Sequence, residues 1–450
     1  MEKCWTPVGR CSEDVPHRVW SGEQQNRHNA ADFTFCYHGE WDRTSRAIIG
    51  CNVKGARRGI RVSLIVLVLA GAGYGSLHWY IRRSAEETLA AAEAHLRRRE
   101  NAEAREELQW LLWSDPTHHR ALLIRGVSLN ADRRFPEAIR TLAQIPENSE
   151  SSEAAGIALA SSLILDGQFE RAEDVLRNHV ERFPQSLNTG RRLAKLYLIQ
   201  LDPRKGAAVL LEHWKRNRDE LSILPDLLDI EARSITPQEH VERLEAADRS
   251  HPQQSSVVLA LARAYHQMGM PDRAKERFDS AIRLSPDDLP TKIAATEFLL
   301  DVGDLESAQS LLPTDIDEQI HDSLYADRYW YVVARIAESR GQIADALNSL
   351  EKAIALRPDN ESYLLMQASL LRRLGRREES KRAAEVAAEL AATRARLFVL
   401  ANEINRESPR SEHCSEIATL MERLGHSEQA ADWRRVGEAI SAASRQHVFP

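Results

Sequence analysis

Residues 255–288 read SSVVLALARAYHQMGMPDRAKERFDSAIRLSPDD. Helical spacing puts Leu261, Ala262 and Tyr265 on one helix, Gly269 ends it, and Ala274, Phe278 and Ala281 mark the buried side of a second helix that Pro286 closes. Thirty-four residues therefore encode two helices and a turn.

The same punctuation recurs along the chain. Pro116, Pro184, Pro252 and Pro286 lie 68, 68 and 34 residues apart, multiples of one period. A glycine is followed five residues later by a small residue at Gly167/Ala172, Gly269/Ala274, Gly303/Ala308, Gly341/Ala346, Gly375/Ser380 and Gly425/Ala430. A left-handed residue that ends a helix is cheap only without a Cβ, and a small side chain is needed where two helices cross closely. Trp330, Ala334, Ala346, Leu350, Ala353 and Pro358 make a second clear unit, and residues 85–210 carry weaker ones in register. These residues resemble the tetratricopeptide repeat, a helix–turn–helix unit of about 34 residues. The resemblance covers residues 85–450 and implies an α-solenoid of about nine to ten helical hairpins.

Three stretches depart from the pattern. Residues 219–252 place Pro225 where a core leucine is expected and Gln238 where a small residue is expected, so two irregular helices are predicted there. The register slips after Pro313, predicting a longer loop near 313–322, and the last pair, about 411–450, ends in a polar helix suited to a cap. Apolar stripes alone would also fit an ordinary helical bundle; the fixed period favours hairpins that bury their apolar sides on the next hairpin along.

Composition agrees with an all-α chain. Of 450 residues, 43% are apolar, 28% charged and only 6% aromatic, with few of the residues that sheets need. Residues 1–61 carry ten Lys or Arg against seven Asp or Glu; the remaining 50 basic and 60 acidic residues make the body net acidic, which argues against nucleic acid as a partner.

Residues 62–81, VSLIVLVLAGAGYGSLHWYI, hold no Asp, Glu, Lys or Arg, and 60–83 is predicted to be one transmembrane helix with Trp79 and Tyr80 at an interface. A buried core helix and a signal peptide ending near Ala70 or Ala72 are the competing readings. Six basic residues in 43–61 face five in 82–100 that are offset by glutamates, so the repeats are expected on the periplasmic or external side of an inner, cytoplasmic membrane. Residues 1–59 show no periodicity and are expected to be disordered or an over-extended gene model. Their Cys4, Cys11, His17, Cys36, His38 and Cys51 lack paired ligand spacing, so no metal site is expected.

Stacked hairpins present their first helices on a concave face that suits an extended partner. On that register Arg120, Arg191, Lys195, Arg263, His266, Arg328, Tyr331 and Arg335 are the exposed positions, and they are the candidate partner-binding residues. Arg191 and Lys195 share a helix face, as do Arg328, Tyr331 and Arg335, and such a basic strip would favour a protein or peptide with acidic segments; solvated surface charge is the plain alternative. The Lys and Asn carboxylate clamp of some tetratricopeptide domains does not recur here, and its specificity is not carried over. No phosphate loop, HExxH or GxSxG is present, His118 and His119 read as surface residues, Cys414 as a buried or half-buried thiol, and neither catalysis nor a cofactor is expected. The reading is a membrane-anchored protein-binding scaffold of the cell envelope, of the kind seen in bacterial envelope repeat proteins. Its rivals are an accessory subunit of an assembly or export complex (secretion, cytochrome assembly, polysaccharide export) and an enzyme hidden in 219–252 and 313–322.

Overall fold

The structure, a computed structural model, describes residues 84–232, 236–312, 320, 323–407 and 409–446. The N-terminal region 1–59, the apolar span in 60–83 and most of the expected loop at 313–322 lie outside the described residues. Chain contacts separate a unit of Met1–Trp79 from one of Tyr80–Pro450, and every described residue belongs to the second. Among the described residues there are helices and no strands, and no helix is long and apolar enough to cross a membrane.

Four hairpins come first: α1 (84–97) with α2 (Asn101–Ser114), α3 (His119–Ala131) with α4 (Phe135–Leu142), α5 (Ser152–Asp166) with α6 (Phe169–Arg182), and α7 (Leu187–Ile199) with α8 (Pro203–Arg216). After α9 (Leu224–Ala232) and α10 (Pro237–Ser250), α11 (Ser255–Gln267) pairs with α12 (Pro271–Leu284) and α13 (Leu289–Asp301) with α14 (Leu305–Leu311). Then α15 (Ala326–Ser339) pairs with α16 (Ile343–Leu356), α17 (Glu361–Arg373) with α18 (Arg377–Arg406), and α19 (Ser411–Arg423) with α20 (Ser427–Gln446). The all-α reading holds for the described residues.

The turn inside each regular hairpin is built as the glycine spacing requires. Gly167, Gly269, Gly303, Gly341, Gly375 and Gly425 all have positive φ. In the other three hairpins Arg99, Arg133 and Leu201 hold the same left-handed conformation despite their side chains. Five residues on, Ala104, Ala138, Ala172, Ala274, Ala308, Ala346 and Ala430 are fully buried at the helix crossing. Gly206 and Ser380 fill that place in the remaining two, the Ser380 hydroxyl donating to the Ala368 carbonyl.

The irregular stretch 219–252 is where the row opens. α9 packs on α8 and on the distant α18 instead of closing a hairpin with α10, which packs on α11. Leu224, Leu227 and Leu228 of α9 share one core with Leu390, Leu397 and Leu400 of α18 and with Ile417, Met421 and Trp433. Leu244 and Ala247 of α10 instead join Phe169, Ala172 and Leu176 of α6. A Cβ at Gly167 would lie 2.9 Å from the Ala247 backbone, so that approach excludes a side chain. The hairpins therefore do not lean only on their sequence neighbours, as the repeat period had suggested.

α18 is the element that makes the return contact possible. At 30 residues it reaches about 45 Å, roughly twice its counterparts, and contains no glycine or proline. α20, expected as a polar cap, buries Trp433 and Ala430 in the shared core, and the Trp214 indole of α8 donates to Asp432 of α20 at 2.9 Å.

Candidate partner-binding face

First helices pack on first helices along the C-terminal row, α11 on α13 and α13 on α15. This brings five of the eight candidate residues, Arg263, His266, Arg328, Tyr331 and Arg335, onto neighbouring helices. Asp301 joins two of them: His266 Nε2 lies 2.9 Å from its carboxylate and Arg335 Nη2 donates to it at 2.7 Å. One turn earlier on α13, Glu297 accepts from Arg328 Nε at 3.1 Å. Burial works against the Arg328 charge, but Glu297 outweighs it and the guanidinium is held above its ordinary range. Tyr331 stacks on Tyr363 of α17 with ring centres 4.8 Å apart, and the Arg335 guanidinium lies 6.0 Å above the Tyr331 ring.

Arg263 is not an exposed residue of this face. It is 8% exposed and donates to Asp202 at 3.3 Å, from the turn between α7 and α8. The chain's own fourth hairpin thus covers this end of the first-helix row. Tyr325 also donates to Asp202, at 2.6 Å. Two residues further on, Arg204 makes a two-pronged bond to Asp327 of α15, at 2.5 and 2.9 Å, and Tyr363 donates to the same carboxylate at 2.9 Å. Burial alone would raise both carboxyls. Arg263 with Tyr325 keeps Asp202, and Arg204 keeps Asp327, below the usual carboxylate range. Burial and the carboxylates together push the Tyr325 and Tyr363 phenols far up.

The other candidates lie elsewhere. Arg120 of α3 pairs with Glu93 at 2.8 Å and Glu86 at 3.0 Å on α1. Arg191 of α7 donates to Asp226 of α9 and to the Ser222 carbonyl, each at 2.6 Å. Lys195, on the same face as Arg191, is exposed. Most of the basic residues expected to form a positive strip are thus paired with a carboxylate about one repeat away, and the face is close to charge-balanced.

Sequence reasoning missed the polar cluster of Asp202, Arg204, Tyr325, Asp327 and Tyr363. A signal was present in the sequence of α11, where the six consecutive residues Val257–Ala262 are all apolar. A helix apolar around its whole circumference needs neighbours on every side, more than one repeat supplies.

Among the described residues, Glu231, Asp359 and His426 form a group whose ligand atoms lie within 4.8 Å of one another. Arg394 of α18 sits among them and donates to Asp359 at 2.7 Å and Glu231 at 3.3 Å, so a guanidinium supplies the positive charge there. A depression lined by Val180, Pro184, Gly190, Val209, Glu212, His213 and Arg216 lies along α6, α7 and α8.

Residues 89–153, and separately 256–288 and 327–360, match the tetratricopeptide repeat family. The chain carries tetratricopeptide repeats. No curated protein matches the sequence. Solved structures that resemble it include MamA 41-end from Desulfovibrio magneticus RS-1, at 16% identity over 39% of this chain and 97% of that one, with a TM-score of 0.29. The yeast Tom70 structure has 14% identity over 81% of this chain and 90% of that one, with a TM-score of 0.27. The Cut9-Hcn1 hetero-tetramer of APC/C has 13% identity over 75% and 66%, with a TM-score of 0.35. The tetratricopeptide units described here form the hairpins that present the first-helix face, and such repeats are protein-interaction scaffolds.

Proposed function

We propose that this chain is a single-pass scaffold of the cell envelope, anchored by residues 62–81, whose first-helix face from α11 to α17 docks an extended segment of a partner protein. One observation carries the docking reading: Tyr331, Arg335, Asp301 and His266 form a half-open strip in which the Arg335 guanidinium and the His266 ring share one carboxylate that is itself 45% exposed. A partner's acidic side chain exchanges with Asp301 for Arg335 and His266, while its apolar groups lie on Tyr331. Such exchange conserves charge pairing and costs little desolvation at a half-exposed site. The uncharged length of residues 62–81 supports the anchor, and the basic residues before it support an outward-facing body.

The test is photo-crosslinking in native membranes from positions 331 and 335, with position 352 on α16 as the comparison. Proteins captured at both first-helix positions, absent at 352 and lost from position 331 on Arg335→Glu, support the reading. The same captures from all three positions would refute it. Resistance of the full chain to alkaline extraction tests the anchor separately.

A further inference from the structure

α2 buries Ala104, Leu108 and Leu111, yet Trp113 is 80% exposed and Trp110 is 49% exposed. The two rings are three residues apart on the side of the helix turned away from that buried stripe, and so share one surface. Two exposed indoles together mark a surface that meets something apolar.

Their place in the hairpin says what. The structure reverses direction at residues 98–100, with Arg99 left-handed, so the last turn of α2 lies level with the first described residues of α1. Leu111 and Ala85 share one core there. The described part of α1 starts at Ser84, three residues beyond Ile81, where the uncharged run 62–81 ends in the sequence. Trp113 therefore stands at the end of the hairpin by which the chain leaves for that run. Glu86, exposed at the same end, shares Arg120 with Glu93, at 3.0 and 2.8 Å.

We propose that Trp110 and Trp113 seat in the headgroup region of the bilayer that residues 62–81 cross, so that the first hairpin lies against the membrane and fixes how the repeats are presented. This rests on the anchored reading above. Tryptophan favours that zone because its ring is apolar and its N–H needs a polar partner, both available only at the interface.

The full-length chain is reconstituted into phosphatidylcholine vesicles with and without phosphatidylcholine brominated near the glycerol end of its acyl chains. Wild-type tryptophan emission is compared with that of Trp110→Phe/Trp113→Phe and of Trp79→Phe, with circular dichroism as the check on folding. Subtracting the double variant isolates the pair, and Trp113→Phe alone repeats the test should the double variant misfold. The expected result is a blue-shifted pair emission that brominated lipid extinguishes. A red, unquenched pair beside a quenched Trp79 component overturns the seating alone and leaves the indoles to a protein partner. A chain that does not float with the vesicles, or whose Trp79 component is unquenched, overturns the anchor and the seating with it.

Discussion

A Cβ added at Gly303 would meet nothing within 4 Å, so Gly303→Ala isolates the cost of holding an L side chain at φ 83°. We expect a loss of about 1 kcal/mol in urea unfolding. Arg133 holds φ 60° in the equivalent turn of the second hairpin, and Arg133→Gly should change stability in the other direction by less, because glycine also loosens the unfolded chain. Two changes of the same sign would mean that the turn does not explain the glycine. Ala274 is fully buried where α11 and α12 cross, and Ala274→Glu drives an unpaired charge into that crossing. Its cost should reach several kcal/mol, and an unchanged thermal melt would contradict the register. The glycine turns were legible in the sequence because only glycine adopts them freely. Arg99, Arg133 and Leu201 were not, since propensity penalises that conformation without forbidding it.

The element that decides the fold's connectivity is α9, whose Leu228 is fully buried. Leu228→Ala should cost about 2–5 kcal/mol. Its distinctive effect should be on hydrogen exchange, with protection lost in α18 and α19 as well as in the adjoining α8. Loss confined to α8 would show that α9 does not bridge distant hairpins. Pro225 and Gln238 marked this stretch as irregular at the level of sequence, and the expected pair of helices is present. That α9 abandons α10 for a helix more than 140 residues away was not readable, because Leu224, Leu227 and Leu228 specify an apolar face without specifying what covers it.

Across the molecule, the fourth hairpin is tied to the C-terminal row by Asp202 with Arg263 and by Arg204 with Asp327. Asp327→Ala leaves Arg204 buried without its partner and should cost about 3–5 kcal/mol, while Arg204→Met/Asp327→Leu should recover most of it. Urea unfolding of both variants checks this, and a double variant no more stable than Asp327→Ala would deny the coupling. Both carboxyls sit below their ordinary range when folded, so each binds a proton less readily in the native than in the unfolded chain. The stability they contribute is complete above the unfolded value of about 4 and falls as pH drops through the lower folded values. Acid unfolding should therefore begin below about pH 4, and Asp202→Asn/Asp327→Asn should lose stability at neutral pH and flatten that dependence. An unchanged acid limb would show that the pairs contribute nothing.

The sequence by itself determined the repeating unit: two helices, a left-handed turn and a buried alanine, all set by residues within one period. Those are local choices, made by backbone sterics and helical spacing within about 34 residues. Only the tertiary structure decided that the hairpins close on one another, that Arg263 is a buried ion-pair partner, and that the expected basic strip is largely neutralised by Glu86, Glu93, Asp226, Glu297 and Asp301. Contacts across 60 to 220 residues depend on how small rotations at each crossing accumulate, and no single residue encodes that sum.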